Sequence, residues 1–405
     1  MRAPAPSDAQ GGPGRGALRV AQAALLVLAL ALPLSIAVTE GALILGLAAL
    51  AVSRARGRAF AFERSWLEPA LLAVAASWLL SSAFSPAPLE SLMHTRKLYA
   101  FGLIFLAAEG ARDPGVRRRL IPLALAGTVL VAAAGYVIYA FRVLRQPGVR
   151  FDSLLSNSMT SGGVLSAAAL WALAMSAASR GRRRLGAVAA LALALPAIAL
   201  TQTRSSWLGF AAGAAVVLVS LAPRAWWTLP AGLALGAWLA PARLAARFAS
   251  IVDPHEPGNQ GRLSMWRSAR DIVRDHPIVG AGCQDLLSLY RRYRYPDWTF
   301  ESGHFHNNFV QIAVMTGAVG VAAFLFWHAA VLRQLLRARR AALGEDRGLV
   351  AAGLAIFVAL VVSGMFDFTF GDQEVVYHTY LAVGLSLAIL PPRSNGPPRH
   401  AGGVP

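Results

Sequence analysis

Twelve apolar stretches divide this chain, and the gap between the ninth and tenth is a long polar segment holding Gly261-Arg-Leu-Ser-Met-Trp-Arg267 and Gly303-His-Phe-His-Asn-Asn308. The stretches run over 20–38, 41–52, 69–84, 98–108, 120–141, 161–178, 185–200, 207–221, 227–239, 309–332, 349–365 and 376–390. A bilayer core takes about 20 apolar helical residues per crossing. Residues 120–141, 161–178 and 309–332 meet that length, whereas 41–52 and 98–108 span only by borrowing neighbours or thinning the bilayer. With 56% hydrophobic and 14% charged residues, the chain falls well below the roughly 25% charge of a soluble domain. The expectation is an all-α integral membrane protein of about 12 transmembrane helices, its chemistry collected on one side.

Charge placement orients the spans. With both termini in the cytoplasm, the clusters at Arg54/Arg56/Arg58/Arg64, Arg112/Arg117/Arg118/Arg119, Arg180/Arg182/Arg183/Arg184 and Arg333/Arg337/Arg339/Arg340/Arg347 all fall inside, as the positive-inside rule requires. The opposite loops, around Glu40, Glu90 and Asp372, are poor in arginine. The net charge of +18 is thus mainly a topology signal. It is split among membrane-flanking loops, which argues against a nucleic-acid partner. The expected organisation is a cytoplasmic tail over 1–19, helices 1–9 over 20–240, a periplasmic loop over 241–305, helices 10–12 over 306–390 and a disordered cytoplasmic tail over 391–405. The first apolar run is long for a signal peptide and lacks a clear small-residue cleavage site, so it reads as a retained helix. One cysteine, Cys283, excludes an internal disulfide framework and reads as a packed side chain.

Within the polar segment, Leu244, Phe248, Ile251 and Val252 recur at helical spacing with Arg243 and Arg247 on other faces, the pattern of a helix lying in the membrane interface. A second helix is expected from 262 to 274, with Trp266, Ala269 and Val273 on an apolar stripe and an Arg267–Asp271 pair on the solvated face. Pro277 and the glycines that follow end it.

Taken in order, Arg262-x3-Trp266-x-x-Ala269-x-x-Ile272, Pro277-Ile-Val-Gly-Ala-Gly282, His306-Asn307 and Gly317-Ala-Val-Gly320 resemble the O-antigen ligase and polymerase superfamily of bacterial envelope glycosyltransferases. Thr203-Arg204-Ser205-Ser206-Trp207-Leu208-Gly209 resembles that family's Arg-Ser/Thr motif, and Val149-Arg150-Phe151 with Ser156-Asn157 resembles its motif after the fifth helix. The resemblance covers most of the chain. It implies a membrane glycosyltransferase body of the GT-C type and a metal-independent reaction with no cofactor.

The residues support such chemistry on their own terms. A charge at membrane depth costs roughly 2.5–3.5 kcal/mol on insertion scales, so Arg96, Lys97 and Arg204, each at or near an apolar run, call for a reason. Guanidinium forks match phosphate oxygens, and a lipid-linked diphosphate brings its anion to this depth. Arg204, Arg150, Arg96, Lys97 and Arg262 are the expected diphosphate ligands; snorkelling to lipid headgroups is the bland alternative. His306 is the expected base, since an imidazole can take a sugar hydroxyl's proton near neutral pH; helix capping is its structural alternative. His304, Asn307 and Trp266 are expected to support it. The first two external loops offer only Glu40 and Glu90, so no Asp-x-Asp metal site is expected there. Asp372 and Glu374 could hold a cation or orient His306, but solvated loop acidity is the simpler reading.

The resulting expectation is an inverting transferase of the bacterial inner membrane, its site facing the periplasm. It would move a glycan from an undecaprenyl-diphosphate carrier to a hydroxyl acceptor such as lipid A-core. The alternatives are a polymerase extending the lipid-linked chain, a protein O-oligosaccharyltransferase, and, from another class, a transporter. A transporter places its substrate groups at mid-depth in broken helices, whereas the unusual polar residues here sit in loops and at helix ends.

Overall fold

The computed structural model describes residues 14–58, 65–146, 148–296 and 301–391; among them are sixteen α-helices and no strand. Arg64 and the expectations for residues 1–13 and 392–405 lie outside the described residues.

The first two helices, α1 (Arg15–Ala31) and α2 (Ile36–Ala55), pack on each other as a hairpin. The expected span over 20–38 is therefore broken, and Glu40 lies inside α2 and not in a loop. Pro33 has no N–H with which to continue a helix, and the Ser35 side chain restarts it by accepting from the Val38 N–H at 3.4 Å. Next come α3 (Leu67–Ala83) and α4 (Pro88–Thr95), then a 3-10 turn over Arg96–Phe101 that leads into α5 (Gly102–Gly110). The expected span over 98–108 is thus divided between the end of the 3-10 turn, up to Phe101, and the short helix α5. The chain continues through α6 (Pro114–Arg145), α7 (Ser158–Ala178), α8 (Gly181–Leu200), α9 (Arg204–Leu221) and α10 (Thr228–Leu239). The polar segment folds as α11 (Ala242–Ala249), α12 (Pro257–Asp275) and α13 (Leu286–Tyr293), and the chain ends with α14 (Asn308–Ala341), α15 (Asp346–Ser363) and α16 (Gln373–Leu387).

Seven of these helices, α2, α6, α7, α8, α9, α14 and α15, are long and apolar enough to cross a membrane, which is consistent with an integral membrane protein. The other apolar helices are shorter. The bundle's outward surface keeps Leu72, Phe84, Leu144 and Trp238 exposed, as a lipid-facing surface would. Close helix packing inside uses small residues: a Cβ on Gly209 or Gly213 of α9 would come within 2.8 Å of the Ala359 and Ala355 carbonyl oxygens of α15.

One long-range contact explains two of the glycine motifs. At Gly317 (φ 60°, ψ −159°) α14 leaves helical geometry, in a region open essentially to glycine alone. The Pro277–Gly282 loop fills the break. Ala281 and Gly282 N–H donate to the Val314 and Met315 carbonyls at 2.8 and 3.0 Å, while Ala318 and Val319 N–H donate to Pro277 and Ile278 at 2.9 and 3.1 Å. The backbone groups freed by breaking the helix are thereby satisfied by another segment, the condition for irregular backbone at membrane depth. Gly317→Ala would place its Cβ against the Ile278 carbonyl and the Gly280 nitrogen. We expect a loss of at least about 2 kcal/mol from strain and overpacking, read as a lower apparent Tm in detergent. An unshifted Tm would show that the crossing tolerates a side chain.

Candidate active site

At the end of the bundle where α9 and α14 begin, the 364–371 connection between α15 and α16 meets α12. Asn307 caps α14, its side-chain oxygen accepting from Phe309 and Val310 N–H at 2.8 and 3.1 Å, while its Nδ2 donates to the Met365 carbonyl at 2.8 Å. Asn308 is buried; its Nδ2 donates to Thr369 Oγ1 at 3.1 Å and its Oδ1 accepts from Phe370 N–H at 3.0 Å. These bonds clamp the connection against the start of α14 and bring Asp367 to His306. His306 Nδ1 lies 3.2 Å from Asp367 Oδ1, with the two side chains 12% and 10% exposed. His306 is held at φ 48°, uncommon for a non-glycine residue and a mark of imposed geometry. Helix capping, the structural alternative for His306, falls to Asn307.

His304 stacks edge-on against His306, ring centroids 4.1 Å apart, and its Nδ1 accepts from the His306 N–H at 3.4 Å. Burial, with His306 adding to it, pushes its pKa down to about 4. The neutral ring is therefore favoured by folding, and this contribution to stability is lost as pH falls from the unfolded value near 6.5 toward about 4. On the far side, Trp266 Nε1 donates to the Phe305 carbonyl at 2.8 Å and Gln311 Oε1 accepts from Phe305 N–H at 2.9 Å.

Arginines line the adjoining surface. Arg262 Nε donates to the Phe366 carbonyl at 3.1 Å, next to Asp367. Arg204, 7% exposed, opens α9, at the positive end of a helix dipole where a cation is disfavoured. It donates to the Ser250 carbonyl at 2.7 Å and to Glu256 Oε2 at 2.8 Å. Arg247 takes the other Glu256 oxygen at 2.8 Å. Burial alone would raise the Glu256 carboxyl; the two guanidinium groups outweigh it and hold the carboxyl below its usual range. Arg150 donates to the Thr201 carbonyl and Thr203 Oγ1, both at 2.7 Å. Burial and then Arg247 work against its charge, while Asp367 favours it.

Two cavities meet at His304, Phe368, Gly371 and Gln373: one of about 370 Å³ lined also by His94, Lys97, Gln311 and Tyr380, and one of about 430 Å³ lined by Ser156, Asn157, Thr160, Asp367 and Glu374. The fold thus brings Arg150, Arg204, Arg262, His304, His306, Asn307 and Trp266 to one end of the molecule, and Lys97 to a cavity shared with His304. Arg96 is exposed and lines neither cavity.

Two other expectations are displaced. Asp372, expected as a solvated loop acid, is instead half-buried where it caps α16 and accepts from Thr160 Oγ1. Asp271 pairs with Arg270 at 3.1 Å and accepts from the Tyr295 hydroxyl at 2.6 Å, in place of the expected Arg267. Cys283 is buried, and burial pushes its thiol up to about 12, which withholds the reactive thiolate. Sequence reasoning overlooked Asp367, Glu256 and Arg247. The signal for Asp367 is faint: an acid set among aromatics in Met365-Phe-Asp-Phe-Thr-Phe370 between two apolar runs.

Chemically, the His306–Asp367 pair can orient an imidazole to take a proton, and the arginines can hold an anion. His304, His306 and Asp367 also offer ligand atoms within 4.8 Å of one another, close enough for a cation. No curated protein matches the chain. Residues 189–325, from α8 into α14 and including Arg204, Glu256, Arg262 and His306, match the family model described as O-Antigen ligase (Wzy_C).

Proposed function

We propose that this protein is an inverting glycosyltransferase that moves a glycan from an undecaprenyl-diphosphate carrier to a hydroxyl acceptor such as lipid A-core. The observation that carries the reading is the His306–Asp367 pair, with Arg262 bonded to the residue before Asp367 and with Arg204 and Arg247 sharing the Glu256 carboxylate. Asp367 accepts from His306 Nδ1–H, leaving Nε2 as the basic nitrogen. The acceptor O–H gives its proton to Nε2 as its oxygen attacks the anomeric carbon. The bond from that carbon to the diphosphate oxygen breaks from the opposite face, and the diphosphate leaves with the electron pair. Arg204, Arg150 and Arg262 offset its charge, with Lys97 in the cavity it shares with His304 and Arg96, its exposed neighbour in sequence, outside it. Charge stabilisation of a good leaving group then contributes more than acid catalysis.

The proposed topology has twelve passes, both ends in the cytoplasm and this site on the periplasmic side of the bacterial inner membrane. The arginine-rich loops gathered at the opposite ends of α6, α8 and α14 support that orientation. We take the reaction as metal-independent, with His304, His306 and Asp367 engaged in proton transfer. Transfer by purified protein is expected to survive EDTA; loss of activity restored by added zinc would make the trio a metal site instead.

A polymerase would share the donor chemistry and differ in acceptor. Gel analysis of surface polysaccharide in a deletion strain separates the two. Long polymer left on the lipid carrier is expected for the ligase reading, and single repeat units would overturn it.

A further inference from the structure

At the far end of the bundle from His306, a crevice of about 650 Å³ opens between the starts of α6 and α8, the end of α7 and the start of α15. That volume lies within the roughly 300–1,000 Å³ of small-molecule sites. Its mouth carries Arg117, Arg118, Arg182 and Arg183 against Glu345 and Asp346. Arg117 pairs with Asp346 at 3.2 Å and Arg183 with Glu345 at 2.7 Å. Arg118 and Arg182 have no carboxylate partner among the described residues, so four guanidinium groups face two carboxylates. Ser179, 4% exposed, also lines the crevice, and its buried hydroxyl has no hydrogen-bond partner among the described residues. The start of α8 is another open donor site, because its N-cap, Arg180, makes no side-chain cap bond.

Deeper in, the walls turn apolar. Ile121, Leu125, Val129, Met175 and Ala190 line them, and the exposed Pro122, Ala126 and Gly186 leave the crevice open sideways along α6 and α8. The chemistry is amphipathic: an anion at the mouth and hydrocarbon along the wall, entering from the side. We propose that this crevice is a binding site for an anionic phospholipid of the leaflet opposite the transfer site, its phosphate between Arg118 and Arg182 near the Ser179 hydroxyl and an acyl chain along α6 and α8. Basic pockets between membrane helices bind such headgroups. Calling that leaflet cytoplasmic rests on the orientation proposed above; the site itself does not.

The test is native mass spectrometry of the whole detergent-purified protein with added dioleoyl-phosphatidylglycerol, with dioleoyl-phosphatidylethanolamine and inorganic phosphate as separate arms. The wild type is expected to retain one phosphatidylglycerol at least about tenfold more than phosphatidylethanolamine, and to hold no phosphate alone. The R118Q/R182Q double variant is expected to lose that preference, and R339Q/R340Q on another arginine-rich stretch to keep it. Gly186→Leu adds a side chain where a Cβ meets nothing within 4 Å, so it is expected to fold and yet exclude the acyl chain. Equal retention of both lipids, equal loss in R339Q/R340Q, unchanged retention in Gly186→Leu, or phosphate bound without lipid would each overturn the site. No glycan transfer enters the readout, so failure here leaves the transferase assignment standing, and the converse also holds.

Discussion

Replacing His306 by alanine is expected to lower glycan transfer by about 10²–10⁴-fold, the usual contribution of a positioned general base, with protein abundance unchanged. The ring is partly buried and its removal touches a loop, not the helical core, because Asn307 and Asn308 hold the start of α14 independently. Asp367→Asn separates orientation from proton transfer. It is expected to reduce the turnover number with little change in donor KM, since Asp367 acts through the imidazole. Its pH profile is also expected to move, which simple loop disruption would not cause. Full activity in His306→Ala, judged against a normal band on a membrane blot, would remove the base from the mechanism.

Arg204→Lys is expected to weaken donor use roughly ten- to a hundredfold, corresponding to loss of one charged hydrogen bond of about 1.5–3 kcal/mol. Lysine keeps the charge and gives up the fork that now reaches Ser250 and Glu256 together. Glu256 is the informative partner. Its carboxylate stands between Arg204 and Arg247 at 2.8 Å from each, where a diphosphate would compete for the same donors. Glu256→Gln is expected to lower stability, by leaving two cations uncompensated, and to tighten donor binding by removing that competitor. Unchanged donor affinity in both variants would dissolve the clamp.

The α-helical membrane class and two helices of the polar segment, α11 and α12, were legible in the sequence because each depends on residues near one another in the chain, whereas α13 was not anticipated. Apolar runs, the clustering of arginine and the stripe that predicts α12 all report on local periodicity. The break at Pro33 was legible too and was overlooked, since the apolar run continues across it. The meeting of Pro277–Gly282 with Gly317 was not: the glycines are visible, and that they face each other is not. His306 could be singled out by its neighbours, but its carboxylate partner lies 61 positions away, and Asp372 was an equally reasonable choice from sequence.

By itself the sequence determined that the chain belongs in a bilayer and that its polar chemistry is concentrated around one long segment, because hydrocarbon imposes its demand on every residue it surrounds. Only the tertiary structure decided which acid faces which base, because pairing depends on where helix ends and their connections come to rest. The connection that carries Asp367 is held by Asn307 and Asn308, and no periodicity in the sequence encodes that contact.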